Sequence, residues 1–333
     1  MNNTVHQLKR VRWKEILPGY LLLVLIPVLI LFINTETMAQ LPYGFVAKKL
    51  TANNLRECVA MAHAPDGRIF LAERGGNVKV YHNGTLSTVH SVATTTESEQ
   101  GLLGITLHSN FAQNGKCYIY YTNPERTRHY LDVIVISAGN QVTSSTRLNE
   151  FDPILGGFHN GGAMVFKDSH LYLCVGESST PNTAQQLTTY MGKVLRFDEN
   201  GQPAVGNPYY ETGVNRQQKS IWAIGMRNPW AMTMEPVSKR LFVANVGGDW
   251  EEIDEVTSPD PSKNYNYGWD SRFQTGPDQN PNTIYPFFAY NRQRLEGWNS
   301  QSCAITTVAA FNPSVTNYPN QYRNKLYFSD WCT

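Results

Sequence analysis

No charge of either sign dominates this chain: 28 Lys plus Arg stand against 27 Asp plus Glu, a formal net charge of +1. With no dense basic tract after its first residues, the sequence lacks the electrostatic footprint of a nucleic-acid binder, and that class is set aside. No G-x-G-x-x-G opens a helix after a strand, and no P-loop lysine motif occurs. Nicotinamide, flavin and nucleotide-phosphate chemistry therefore has no signature here. Cysteine is sparse, and the five residues Cys58, Cys117, Cys174, Cys303 and Cys332 form no C-x-x-C pair and have no histidine at ligand spacing, which argues against zinc. In an oxidising compartment a Cys303–Cys332 bridge is open, whereas Cys58, Cys117 and Cys174 lie in apolar, strand-like runs and are expected to be buried.

Long hydrophobic runs are absent except at the N-terminus, where Lys9, Arg10, Arg12 and Lys14 precede the apolar stretch 16–33 and Thr37-Met38-Ala39 come after it. This is a signal-peptide layout. The run exceeds the roughly 7–15 residues of a signal core and approaches the roughly 17–25 of a spanning helix, so retention as an anchor stays open. Pro18, Gly19 and Pro27 interrupt the run and Ala39 offers a small residue for cleavage, which favours release of residues 1–39. In either case the positive flank keeps the N-terminus inside and exports the rest of the chain. Residues 40–333 are thus expected outside the cytoplasm, periplasmic or secreted, touching a membrane only through the first segment if it is kept.

What the chain does have is a repeated pattern of apolar stretch, polar turn, β-rich run, glycine and second β-rich run. In the clearest copy, Met61 to Gly84, the turns Pro65-Asp66-Gly67 and Gly75-Gly76 bracket short alternating runs. Related segments run from Gly104 to Thr122, from Ala163 to Glu177 resuming at Gly192, and from Ala231 to Gly248. Each unit can bury one sheet face only against its neighbours, which points to an all-β propeller. With no linker-like shift in composition, residues 40–333 are expected to form one domain. The last segment, NKLYFSDWCT, has the pattern of a blade strand and then stops, so the expectation is a propeller lacking its final blade.

Several motifs occur in order: EQGLLG at Glu99–Gly104, HNGG at His159–Gly162, GKVLRFD at Gly192, GMRNPW at Gly225–Trp230, VGGDWEEIDEV from Val246, and NYNYGW ending at Trp269. Together these resemble the glucose/sorbosone dehydrogenase family, soluble quinoprotein sugar dehydrogenases related to hedgehog-interacting-protein-like propellers. The resemblance implies a six-bladed propeller binding pyrroloquinoline quinone (PQQ) and Ca2+, oxidising an aldose at its anomeric carbon to a lactone and handing electrons to an external acceptor.

On that resemblance His159 is the general base. It sits on a glycine-flanked loop, and neutral imidazole, with a reference pKa of about 6.5, can take a hydroxyl proton at physiological pH. Arg227 and Asn228 match the cofactor-binding pair; a guanidinium fork suits a planar tricarboxylate. Gly247 and Gly248 match the position whose main-chain carbonyls ligate calcium. Glu99 aligns with a site-lining glutamine, and Glu177 with an acidic residue near the sugar. Tyr267 and Trp269 are either pocket walls or packing.

One departure stands out: where the quinone enzymes carry a cofactor-binding lysine after the late strand, this sequence has Cys332. That substitution keeps a second reading open, a secreted, non-catalytic propeller that binds carbohydrate or protein.

Overall fold

The computed structural model describes residues 44–50, 55–269, 281–292 and 304–331. The chain divides into two compact units, Met1–Lys49 and Leu50–Thr333. In the first, only residues 44–49 are described, and they form no strand or helix. The signal or anchor segment 1–39, Cys303 and Cys332 lie outside the described residues. Among those described, no helix is long and apolar enough to cross a membrane.

Turn chemistry and alternation build the second unit as antiparallel sheets in chain order. The first sheet runs β1 (Cys58–His63), β2 (Ile69–Glu73), β3 (Asn77–His82) and β4 (Thr85–Ser91). The second comprises β5 (Leu102–Leu107), β6 (Lys116–Thr122), β7 (Arg128–Ile136) and β8 (Val142–Pro153). The third holds β9 (Gly161–Lys167), β10 (His170–Val175), β11 (Lys193–Phe197) and β12 (Ile221–Ile224). The fourth holds β13 (Asn228–Met234), β14 (Leu241–Val246), β15 (Trp250–Glu255) and β16 (Phe288–Asn291). A two-stranded sheet, β17 (Ile305–Phe311) with β18 (Lys325–Asp330), comes last. The repeat read from Met61 to Gly84 is the β2–β3 hairpin, its register pairing Ile69 with Tyr81 and Ala72 with Val78.

Successive sheets adjoin through their first strands, β1 against β5, β5 against β9, β9 against β13 and β13 against β17. A separate apolar core fills each interface. Phe70, Val78 and Val80 meet Ile105, Phe111 and Ile119 between the first two sheets. Tyr118, Tyr120 and Phe151 meet Leu171, Leu173 and Phe197 at the next. Tyr172 and Val194 meet Leu241 and Val243 at the third, and Phe242 and Ile253 meet Ile305 and Val308 at the last. Burying each such side chain contributes about 1.5–3 kcal/mol relative to exposure, so each sheet is stabilised chiefly by its neighbours. This is a propeller-like arrangement of antiparallel sheets. Cys117 and Cys174 are buried as expected, and Cys58 is half-buried.

Candidate active site

In a sheet whose strands meander, the start of the first strand and the end of the second lie at the same edge. Glu99 precedes β5, His159 precedes β9 and Arg227 precedes β13, while Glu177 follows β10 and Gly247 follows β14. Topology therefore carries these residues from three sheets to one face. Hydrogen bonds join them there.

His159 adopts φ +60, a left-handed conformation that costs a β-carbon-bearing residue and persists only where neighbours enforce it. The enforcement is visible on both sides of the peptide. Its N–H donates to Glu99 Oε2 at 2.7 Å, and its carbonyl accepts from the Ser178 N–H at 3.0 Å. Gly176 packs so closely that an added β-carbon would lie 2.0 Å from the His159 carbonyl oxygen. Gly161, at φ +66, then turns the chain into β9. With the backbone fixed, the imidazole points Nδ1 at Glu177 Oε1. Against a carboxylate, which can only accept, Nδ1 is the donor, and Nε2 is the ring nitrogen not engaged with Glu177. The other Glu177 oxygen, Oε2, is buried and has no partner among the described residues.

Asn228 ties this loop to the next sheet. Its Nδ2 donates to Glu99 Oε2 at 3.2 Å, and its Oδ1 accepts from the Gly161 N–H at 3.0 Å. Beside it, Arg227 is braced through its backbone: its N–H donates to Asn245 Oδ1 at 3.2 Å, and its carbonyl accepts from the Glu177 N–H at 2.9 Å. The guanidinium donates to the Val246 carbonyl at 3.2 Å and stands over the Trp269 ring, 5.2 Å from its centroid. Burial, then the charge of Arg292, lowers the Arg227 pKa; the carboxylates of Glu177, Glu251 and Glu99 oppose that shift. Five charged side chains thus share one local field.

Behind Arg227, Asn245 Nδ2 donates to Asp254 Oδ2 at 3.2 Å, and burial pushes Asp254 up to about 7. The Gly247 carbonyl, expected to ligate calcium, accepts from Arg292 at 3.1 Å. Arg292 is also ion-paired with Glu251, whose carboxyl burial pushes up to about 7. Gly248 comes next in the turn between β14 and β15.

The structure therefore brings His159, Glu99, Glu177, Arg227 and Asn228 together. Trp269 belongs to the site as well, whereas Tyr267 is buried in the interface core with its hydroxyl on the Glu255 carbonyl at 2.5 Å. Residues that sequence reasoning missed are Asn245, Arg292 and Lys193. The last is fully buried and donates to the carbonyls of Thr183, Ala184 and Met191 at 2.8, 3.0 and 2.6 Å, pinning the loop that starts at Glu177. A depression of about 370 Å³ adjoins the His159 loop, lined by Gln100, Arg126, Ile154, Leu155, Gly156 and Gly157.

This face thus carries an imidazole oriented by a buried carboxylate and, from the next sheet, a largely buried guanidinium. The glucose/sorbosone dehydrogenase family model matches residues 55–293, and the chain belongs to this family. It is 28% identical over 224 residues to the aldose sugar dehydrogenase YliI of Escherichia coli K12, covering 63% of this chain and 58% of that protein. To quinoprotein glucose dehydrogenase B of Acinetobacter calcoaceticus it is 28% identical over 256 residues, covering 67% and 52%. The chain spans little more than half the length of these relatives. A solved structure described as a glucose dehydrogenase of Thermus thermophilus superposes with a TM-score of 0.66 at 27% identity, covering 79% of this chain and 76% of the other.

Proposed function

We propose that this chain is a quinone-dependent oxidoreductase, the catalytic propeller of an aldose dehydrogenase that oxidises the anomeric carbon to a lactone outside the cytoplasm. The observation that carries it is the His159–Glu177 pair: a left-handed loop residue whose Nδ1 is committed to a buried carboxylate and whose Nε2 is left to accept. The blade count of six belongs to the same proposal.

The residues fit PQQ. A planar tricarboxylate needs cations and an aromatic face, and Arg227 lies over Trp269 with Arg292 close enough to depress its pKa. The buried Trp269 Nε1, which has no partner among the described residues, is a donor available to a bound oxygen. Asn228, also expected to touch the cofactor, has both ends of its amide engaged and holds the His159 loop at the cofactor's side. When bound, the quinone supplies a two-electron acceptor for the hydride leaving C1. Calcium fits less well: a cation on the Gly247 carbonyl must share it with the Arg292 guanidinium, so no step is routed through the metal.

In the step assigned to the protein, His159 Nε2 takes the proton of the C1 hydroxyl while hydride departs from the same carbon, leaving the lactone carbonyl. The imidazolium so formed keeps its Nδ1–H on Glu177, whose negative charge stabilises it. Glu99 and Asn228 hold the loop still as charge develops. An external acceptor then removes the electrons.

Adding PQQ and an aldose to purified protein with a redox dye tests the reading. Wild type reduces the dye, and His159→Gln loses about 10²–10⁴-fold in turnover while still binding quinone. Equal activity in wild type and variant would sink the assignment of the base. Quinone binding with no oxidation of any aldose would favour the non-catalytic propeller.

A further inference from the structure

We infer that Arg292 takes the place of a divalent cation: its guanidinium, seated between the Gly247 carbonyl and the Glu251 carboxylate, lets this chain bind the anionic quinone without calcium. The inference rests on the quinone reading above and adds to it the question of what holds the cofactor.

Backbone register puts Arg292 where it is. The β15–β16 ladder pairs Trp250 with Asn291, and the Arg292 N–H extends it by one step with a bond to the Asp249 carbonyl at 3.0 Å. That fixes the Arg292 backbone beside the turn between β14 and β15, and the side chain reaches back to the first carbonyl of that turn, Gly247. The seat is built rather than incidental. Glu251 is completely buried, pairs through Oε1 with Arg292 and accepts through Oε2 from the Ile305 N–H at 2.9 Å, so the start of β17 locks the anion in place. The Arg292 side chain retains 16% exposure, enough to present remaining N–H groups to a ligand.

This seat competes with a metal ion. Calcium sits about 2.3–2.6 Å from its oxygen ligands and takes six to eight of them. Here the guanidinium already stands on the carbonyl in question, and the carboxylate behind it is committed to that guanidinium. The work asked of the metal is to carry positive charge next to quinone oxygens, and a planar guanidinium does that while also donating paired hydrogen bonds. Arg227 and Arg292 donate to successive carbonyls, Val246 and Gly247, so two like charges stand at one turn, an arrangement that favours an anionic ligand.

The test uses the full chain. PQQ is titrated by quenching of tryptophan fluorescence, once in EDTA and once with calcium chloride, and calcium chloride alone is titrated by calorimetry. Wild type is expected to bind PQQ with the same affinity, within about twofold, in both conditions and to give no heat with calcium. Arg292→Ala should weaken PQQ binding in EDTA by about tenfold or more, with Arg292→Lys less affected. Because Arg292→Ala strands a buried carboxylate, the double variant Arg292→Ala/Glu251→Gln is titrated alongside, with thermal unfolding as the check on folding. PQQ binding that requires calcium, stoichiometric calcium heat in wild type, or an Arg292→Ala or double variant that binds PQQ in EDTA as tightly as wild type would each overturn the inference while leaving the sugar-oxidation reading intact. Failure of wild type to bind PQQ in either condition takes both down.

Discussion

The wall that carries His159 is held by hydrogen bonds between loops of three sheets, whereas the wall that carries Arg227 is backed by buried acidic side chains. On the first, Glu99, His159 and Asn228 interlock through backbone N–H groups, and a glycine contact leaves no room for movement. On the second, Asp254 acts on Arg227 through Asn245, and Glu251 acts on Arg292 directly. On the proposed function, a base has to be aimed to a fraction of an ångström, which short directional bonds achieve; a polyanion is captured by charge, which tolerates looser geometry. The two halves of the site should therefore fail in different ways.

The largest effect is expected on the aimed side. Gly176→Ala drives a β-carbon into the His159 carbonyl and should cost about 3 kcal/mol, at the upper end of overpacking penalties, in urea denaturation. A change below about 0.5 kcal/mol would mean that the His159 loop yields freely and that the rigidity claimed for this wall is absent.

The charged side should respond to pH. Asp254 has a folded-state pKa raised to about 7, by burial, above its unfolded value. Its stabilising contribution is present below the unfolded pKa and is lost as pH rises through about 7. Asp254→Asn, which stays neutral and keeps an acceptor for Asn245, should match wild type near pH 4 and exceed it near pH 8 by an amount on the order of a few kcal/mol. Parallel unfolding curves for the two proteins across that range would show that this carboxyl is not neutral when buried.

The smallest effect is expected from Glu99→Gln. The amide oxygen still accepts from the His159 N–H and from Asn228, so stability should shift by less than about 1 kcal/mol and turnover by less than about tenfold. A loss as large as that of His159→Gln would move Glu99 from holding the loop to taking part in proton transfer.

Much of the aimed wall was legible in sequence because its parts sit in compact motifs. His159, Glu177 and Arg227-Asn228 each stand in a motif that carries the family resemblance, and it was that resemblance that grouped them, while the strand ends they occupy explain why they share one edge. The turns read at Pro65-Asp66-Gly67 and Gly75-Gly76 likewise fall before and after β2. Less legible was anything that depends on register or shape. Arg292 lies beyond the last motif, and its reach to Gly247 follows from how β15 pairs with β16, which no local pattern encodes. Gly176 reads as an ordinary turn glycine until its distance to the His159 carbonyl is known. Tyr267 and Trp269 are two residues apart in one turn; that the first fills a core and the second stacks on Arg227 is decided by tertiary packing. The Gly247 carbonyl was expected to meet a metal, and the charge that faces it instead comes from a side chain 45 residues further on.

Whether His159 drives sugar oxidation can be read from an anaerobic single turnover of the PQQ-loaded protein, with the quinone's absorbance followed after an aldose is added. Stoichiometric bleaching is expected, with lactone formed in equal amount and the rate slowed by about 10²–10⁴-fold in His159→Gln. An absorbance left unchanged by any aldose, or bleaching at the same rate without the imidazole, would contradict that role.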